Sequence, residues 1–206
     1  MSAAAAPNPV FYYDLGCPEC YLAAERIMAA LPVVPEWEPV LTSELGSVDR
    51  PAGGADGSRA PGCTVGAEER ATLAARVVQL GLQPLRWPAG WPPDTEMAML
   101  AATYAKRIGR TVAFSLAAFR QAFAGGRDLG QQSTVLIAGA ACEMHPAAIL
   151  RALSTTGVRD ALAAACGRAR EAGVRELPAI QIASLVVSGP DAVERAAARG
   201  TSGGDD

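Results

Sequence analysis

The spacing of apolar and polar positions changes several times along the chain, and each change marks an element. Pro9-Val10-Phe11-Tyr12-Tyr13-Asp14 is an apolar run rich in aromatic and β-branched residues, the pattern of a buried strand. A helical period follows from Tyr21 to Leu31. Glu36 to Leu41 reads as a second strand, returning beside the first by a crossover, and its prolines keep it from the centre of a sheet. Residues Thr42 to Gly66 have no period and are rich in Gly, Pro, Ser and Asp. They predict a long loop with a mobile tip over Pro51 to Ser58 and Cys63 near its end.

From Ala67 the helical period returns. Helices are expected over Glu68–Leu80, Thr95–Ile108, Val112–Phe123, Ser133–Ala141, His145–Ser154 and Val158–Ala172, several of them ending at a glycine. A rigid aromatic-proline segment, Pro84 to Thr95, separates the first two. Ala179-Ile180-Gln181-Ile182 and Ser184-Leu185-Val186-Val187 then read as short strands around a tight turn. Pro190 opens a last helix, Asp191 to Ala198, and a polar tail expected to be disordered begins at Gly200. These elements predict an α/β fold in four parts: residues 1–63, a helical insertion over 64–155, a return to helix and strands over 156–200, and the tail 201–206.

Composition narrows the function. The chain has 206 residues, half of them hydrophobic, enough for one domain carrying a large insertion. A formal net charge of -3 and no basic stripe argue against a nucleic-acid partner. No run reaches the ~18 apolar residues of a membrane span. Met-Ser-Ala-Ala-Ala-Ala-Pro-Asn lacks the basic start and apolar core of a secretory signal, so a cytoplasmic protein is expected. Thiols are held reduced there, so the five cysteines are not read as a disulfide framework.

The chemistry concentrates in Cys17-Pro18-Glu19-Cys20, where the first strand turns into the first helix. A C-x-x-C at such a turn is a redox motif. Cys17 would sit beside the unpaired N–H groups and positive end of the helix, which favours thiolate, the attacking form. Cys20 lies one turn further in and would resolve a mixed disulfide held on Cys17. The alternatives are half of a zinc site and an inert pair. Zinc needs two more ligands at suitable spacing, whereas Cys63, Cys142, Cys166 and the single histidine, His145, each stand alone, so no metal is expected. Cys142 and Cys166, on Ala-rich stretches, read as small buried residues, and Cys63 as the best candidate for a further reactive thiol. His145, before Pro146, reads as a surface or capping residue.

With these motifs the sequence resembles the DsbA-like branch of the thioredoxin superfamily, the group of DsbA oxidoreductases, 2-hydroxychromene-2-carboxylate isomerases and kappa-class glutathione transferases. Three stretches carry the likeness: Phe11 through Cys17-Pro18-Glu19-Cys20 to Ala23; Asp128-Leu129-Gly130 over to Leu136 and Ala141; and Gly173-Val174-Arg175-Glu176-Leu177-Pro178-Ala179-Ile180. The resemblance implies a thioredoxin-like fold with an inserted all-helical lobe. It implies that Pro178 is cis and faces Cys17, with Leu177 offering its backbone to a substrate strand.

Departures from the family pattern carry expectations of their own. DsbA has His where this chain has Glu19, so Glu19 would make the pair a weaker oxidant, with a potential of about -200 to -270 mV. Glu19 also reads as a helix-start acid that complements the dipole. The isomerase group has Ser where this chain has Cys17, which tilts the reading toward disulfide exchange. Glu176 replaces a family glycine and places an acid near the substrate groove, where it would select basic or polar partners. Asp14 reads as a turn or cap acid, or as the acceptor of a proton from Cys20. Trp87 and Trp91 read as packing residues or as the wall of a pocket between the lobes. Asp94 and Thr95 read as caps of the next helix.

The expected function is therefore thiol–disulfide exchange through Cys17 and Cys20, tuned by Pro18, Glu19 and Asp14, with Leu177 and Pro178 positioning the substrate. Protein thiols or a small thiol would be the partners. No bound cofactor is needed, with glutathione or another small thiol as the candidate co-substrate, and a homodimer is compatible with the family. Two rivals remain: an isomerase-like or glutathione-transferase-like enzyme acting on a small molecule, and a non-enzymatic interaction module.

Overall fold

The computed structural model of the protein describes residues 8–46 and 65–201. Strand β1 (Val10–Tyr13) lies between β2 (Glu36–Pro39), which runs parallel to it, and β3 (Ala179–Ile182), which runs antiparallel. β4 (Leu185–Ser188) pairs antiparallel with β3, giving a four-stranded sheet in the order β2-β1-β3-β4. β1 takes an inner place because its apolar run can be covered on both faces, and Phe11, Tyr12 and Tyr13 are all buried. Pro39 falls on β2, an edge strand, where a proline is tolerated. The β3–β4 turn places Ala183 at φ 52°, the left-handed region that a two-residue hairpin loop calls for.

Strand alternation sends Phe11 and Tyr13 to one face. There they meet Trp37 edge-on at 5.0 and 5.5 Å between ring centroids, and Tyr13 continues to Phe119 at 5.9 Å. Trp37 and Phe119 are thus gathered against the strand that leads into the Cys turn. Burial pushes the Tyr13 phenol well above its ordinary pKa, and its oxygen shares a 2.6 Å hydrogen bond with Ser115.

The helix expected over Tyr21–Leu31 is two helices, α1 (Pro18–Ala24) and α2 (Ile27–Ala30). The break has a local cause. The Arg26 N–H bonds back three residues to Ala23, and its Nε donates to the Leu22 carbonyl, which ends the α1 ladder. The loop expected from Thr42 instead begins with one helical turn, α3 (Thr42–Leu45), held by buried Leu45. The expected loop tip and Cys63 lie outside the described residues.

The insertion supplies α4 (Ala67–Gln79), α5 (Glu96–Arg107), α6 (Thr111–Phe119), α7 (Gln132–Ala140) and α8 (Pro146–Leu153). The helix expected to reach Phe123 changes at Arg120 into a π-helical turn, Arg120–Ala124. Gly139 on α7 lets α8 approach closely, since a Cβ there would collide with Ile149. α5 ties the insertion to the sheet: it packs on α6 and α8, and also on β2 and α9 (Thr156–Glu171). α10 (Ala192–Thr201) covers β3 and β4, so the chain is helical through the start of the expected tail, and residues 202–206 lie outside the described set.

Candidate active site

Cys17 is the residue that caps α1, in extended conformation at φ -96° and ψ 115°. Its N–H donates to the Asp14 carbonyl at 3.0 Å, which closes the turn. Pro18 occupies the first helical position, where the absent N–H has no partner to lose. The Cys20 N–H points back at the Cys17 sulfur at 3.4 Å. The two thiols are free and differ in setting: Cys17 is partly exposed, whereas Cys20 is fully buried. Burial, reinforced by the neighbouring Cys17, pushes the Cys20 thiol well above its ordinary pKa.

Across from the turn, the Leu177–Pro178 bond is cis, and the Leu177 carbonyl lies 3.9 Å from the Cys17 sulfur. Cys17, Cys20, Leu177 and Pro178 are thus brought together from opposite ends of the chain. β1 leads into the cysteine turn and the proline loop leads into β3, and the two strands are direct neighbours.

Asp14 is buried beneath this turn. One carboxylate oxygen accepts from the Gly16 N–H at 2.9 Å and the Thr95 hydroxyl at 3.0 Å. The other accepts from the Thr42 N–H at 2.8 Å and the Thr42 hydroxyl at 2.9 Å. Asp14 therefore ties the Cys turn to the starts of α3 and α5. Thr95, expected as a helix cap, spends its hydroxyl on Asp14, while Asp94 alone caps by accepting from the Glu96 N–H at 3.1 Å.

Glu19 does not stand as an isolated acid beside the sulfurs. Arg76 of α4 pairs with it at 2.6 Å and donates to the Pro190 carbonyl at 2.9 Å, bridging α1 to the start of α10. Burial nevertheless raises the Glu19 pKa, with Arg76 opposing the shift. Sequence reasoning missed Arg76. The signal was its place beside Val77 on the face that α4 buries, which is visible only once α4 is known to dock on the turn.

A cleft of about 700 Å³ opens above Cys17. Its lining includes Glu19, Glu68, Glu69, Glu176 and Leu177. Trp87 and Trp91 do not line it. They pack edge-on at 4.9 Å and reach Phe123 at 6.4 and 5.7 Å, extending the aromatic face of the core. Cys142 donates to the Ala138 carbonyl, Cys166 accepts from the Leu41 N–H, and burial raises both thiols. His145 caps α8 by accepting from the Ala147 N–H at 3.2 Å. Among the described residues, no group of three or more His, Cys, Asp or Glu is placed to hold a metal, and no helix is long and apolar enough to cross a membrane.

The family model of the DSBA-like thioredoxin domain matches residues 10–199. The chain belongs to this family. Solved DSBA-like folds align over nearly its whole length. A 2-hydroxychromene-2-carboxylate isomerase superposes with a TM-score of 0.75 at 15% identity, covering 94% of this chain and 95% of its own. A probable DsbA oxidoreductase from Streptomyces coelicolor follows at 0.71 and 17%, covering 97% and 92%. The DsbA disulfide interchange protein from Klebsiella pneumoniae gives 0.51 and 14%, covering 97% and 89%. At these identities the likeness shows the fold alone, one shared by structures described as an isomerase and as DsbA oxidoreductases. No curated protein matches the sequence.

Proposed function

We propose that the chain is a thiol–disulfide oxidoreductase working through Cys17 and Cys20. The observation that carries this reading is the asymmetry of the pair: a part-exposed sulfur faces the Leu177 carbonyl beneath a cleft, with a buried thiol one turn behind it. The Cys17 thiolate attacks one sulfur of a substrate disulfide. That disulfide bond breaks, and one substrate sulfur leaves as a thiolate and takes up a proton. Cys20 then gives up its proton and attacks the Cys17 sulfur, and the second substrate sulfur departs. Two electrons pass from the pair to the substrate, and the reverse sequence oxidises a dithiol. Burial keeps Cys20 a thiol at neutral pH, so Cys17 meets the substrate first. Pro18 and Asp14 hold the turn, and Leu177 offers backbone to an extended substrate. A protein dithiol or a small thiol is the second partner.

The cleft volume supports a second reading, since about 700 Å³ lies within the ~300–1,000 Å³ of small-molecule sites. Isomerase-like chemistry on a small molecule would use that cleft with no disulfide cycle. Trapping separates the two. Incubated with a disulfide-bonded peptide, Cys20→Ser is expected to accumulate a one-to-one mixed disulfide on Cys17, read by mass spectrometry of the digest. The reduced wild type should instead resolve the adduct to a Cys17–Cys20 disulfide, releasing the peptide as its dithiol. Failure of Cys17 to form the adduct contradicts the proposal and favours the small-molecule reading.

A further inference from the structure

The charge around the cleft points to a substrate class for the sulfur at its floor, an inference that rests on the oxidoreductase reading above. Glu68 and Glu69 enter the lining from the first turn of α4, and Glu176 enters it from the loop before Pro178. No ion pair of these three carboxylates is seen among the described residues, while Glu19, the fourth acid of the lining, is already neutralised by Arg76. Arg175 is the one basic residue of the lining, and its guanidinium donates to the Arg170 and Val174 carbonyls. Three carboxylates against one guanidinium therefore surround the approach to Cys17. All three carboxylates are exposed, so the excess attracts an entering cation through solvent and weakens as salt rises.

We infer that Cys17 exchanges preferentially with cationic thiols and disulfides, which in a protein means cysteines flanked by Lys or Arg. Glu68, Glu69 and Glu176 are the specificity-determining residues. Anionic small thiols are the disfavoured partners, so the small thiol that cycles the pair is neutral or basic in preference to glutathione.

The test uses three small disulfides differing in charge. Doubly cationic cystamine, neutral bis(2-hydroxyethyl) disulfide and doubly anionic 3,3′-dithiodipropionate react with the reduced full chain at pH 7 under pseudo-first-order conditions. Formation of the Cys17–Cys20 disulfide is followed by mass, and each rate is divided by that of dithiothreitol with the same compound, which removes differences in leaving-group reactivity. The chemistry balances in each case: one disulfide is reduced to two thiols as the protein pair is oxidised. The normalised order should be cationic, neutral, anionic, with steps of up to about tenfold at low salt, the lower end of the range for electrostatic steering. Raising ionic strength toward 1 M should compress the order, since screening then acts within about 3 Å. The variant with Glu68→Gln, Glu69→Gln and Glu176→Gln should lose most of the cationic-to-neutral ratio. If that variant folds poorly, the salt series on the wild type decides alone. Equal normalised rates, or a salt-independent order, overturn the inference while leaving the oxidoreductase reading standing. Failure of all three disulfides to oxidise the pair overturns both.

Discussion

At the scale of single residues, the candidate site surrounds two sulfurs with different charge and burial. Cys20 is buried and Cys17 is part-exposed, which in the proposed exchange puts Cys17 first in the order of attack. Glu19 shows how a local inference changes in three dimensions. From the sequence it is an acid two positions from Cys17, expected to oppose thiolate formation. In the fold its partner Arg76 lies 57 residues away and cancels much of that charge. No periodicity links two such distant positions, so the pair was not legible in the sequence. The Glu19→Gln variant removes the close partner of Arg76 and leaves it only the longer contact to Asp191 at 3.7 Å, an excess of positive charge beside the Cys turn that favours the reduced thiolate form. Its potential should become less negative by on the order of 30 mV. Adding Arg76→Gln should return it close to wild type, because the charge then balances again. Equilibration in a dithiol buffer reads both, and a double variant that keeps the full shift of the single one contradicts the account.

At the scale of elements, the Cys turn is held by contacts from two directions. The local parts of this arrangement were legible. The β1 run, the C-x-x-C and the short β-rich pair near the end of the chain each announce themselves within a dozen residues. What joins them was less so: Asp14 collects Thr42 from α3 and Thr95 from α5, and only the finished packing shows that both threonines serve it. Trp87 and Trp91 could be read either as packing or as a pocket wall, because an aromatic pair between prolines looks the same in sequence whichever side it faces. Gly16 gives this level its prediction. A Cβ added there would lie 2.7 Å from the Thr95 methyl. Gly16→Ala should destabilise the protein by roughly 1–3 kcal/mol, the range for an overpacked site. Thr95→Ser removes that methyl and keeps the hydroxyl that Asp14 accepts from, so the double variant should recover most of the loss in urea unfolding. No recovery would show that the strain at Gly16 lies elsewhere.

At the scale of the whole molecule, a thioredoxin-like sheet brings the two ends of the chain together and α5 fastens the inserted helices to it. The order of strands and helices was readable because β1, β3 and β4 are short, largely apolar and set off by turn residues, while β2 is placed by the crossover from β1. The cleft was not readable, since it forms where α4, the turn at Cys17 and the loop before Pro178 converge from three separate segments. That convergence makes the cysteine pair a candidate for chemistry rather than packing, and it makes the pair's redox behaviour the property of the molecule that matters most. The most direct test is the reduction potential of the Cys17–Cys20 couple, taken by equilibrating the full chain in graded thiol–disulfide buffers and counting free thiols. The account predicts a reversible two-electron couple at about -200 to -270 mV, because no cation is left unpaired at Glu19 to strengthen the oxidant. If no disulfide joins Cys17 and Cys20 at any potential from about -120 to -270 mV, while Cys17 alone alkylates readily, the pair is not a redox couple and the central claim fails.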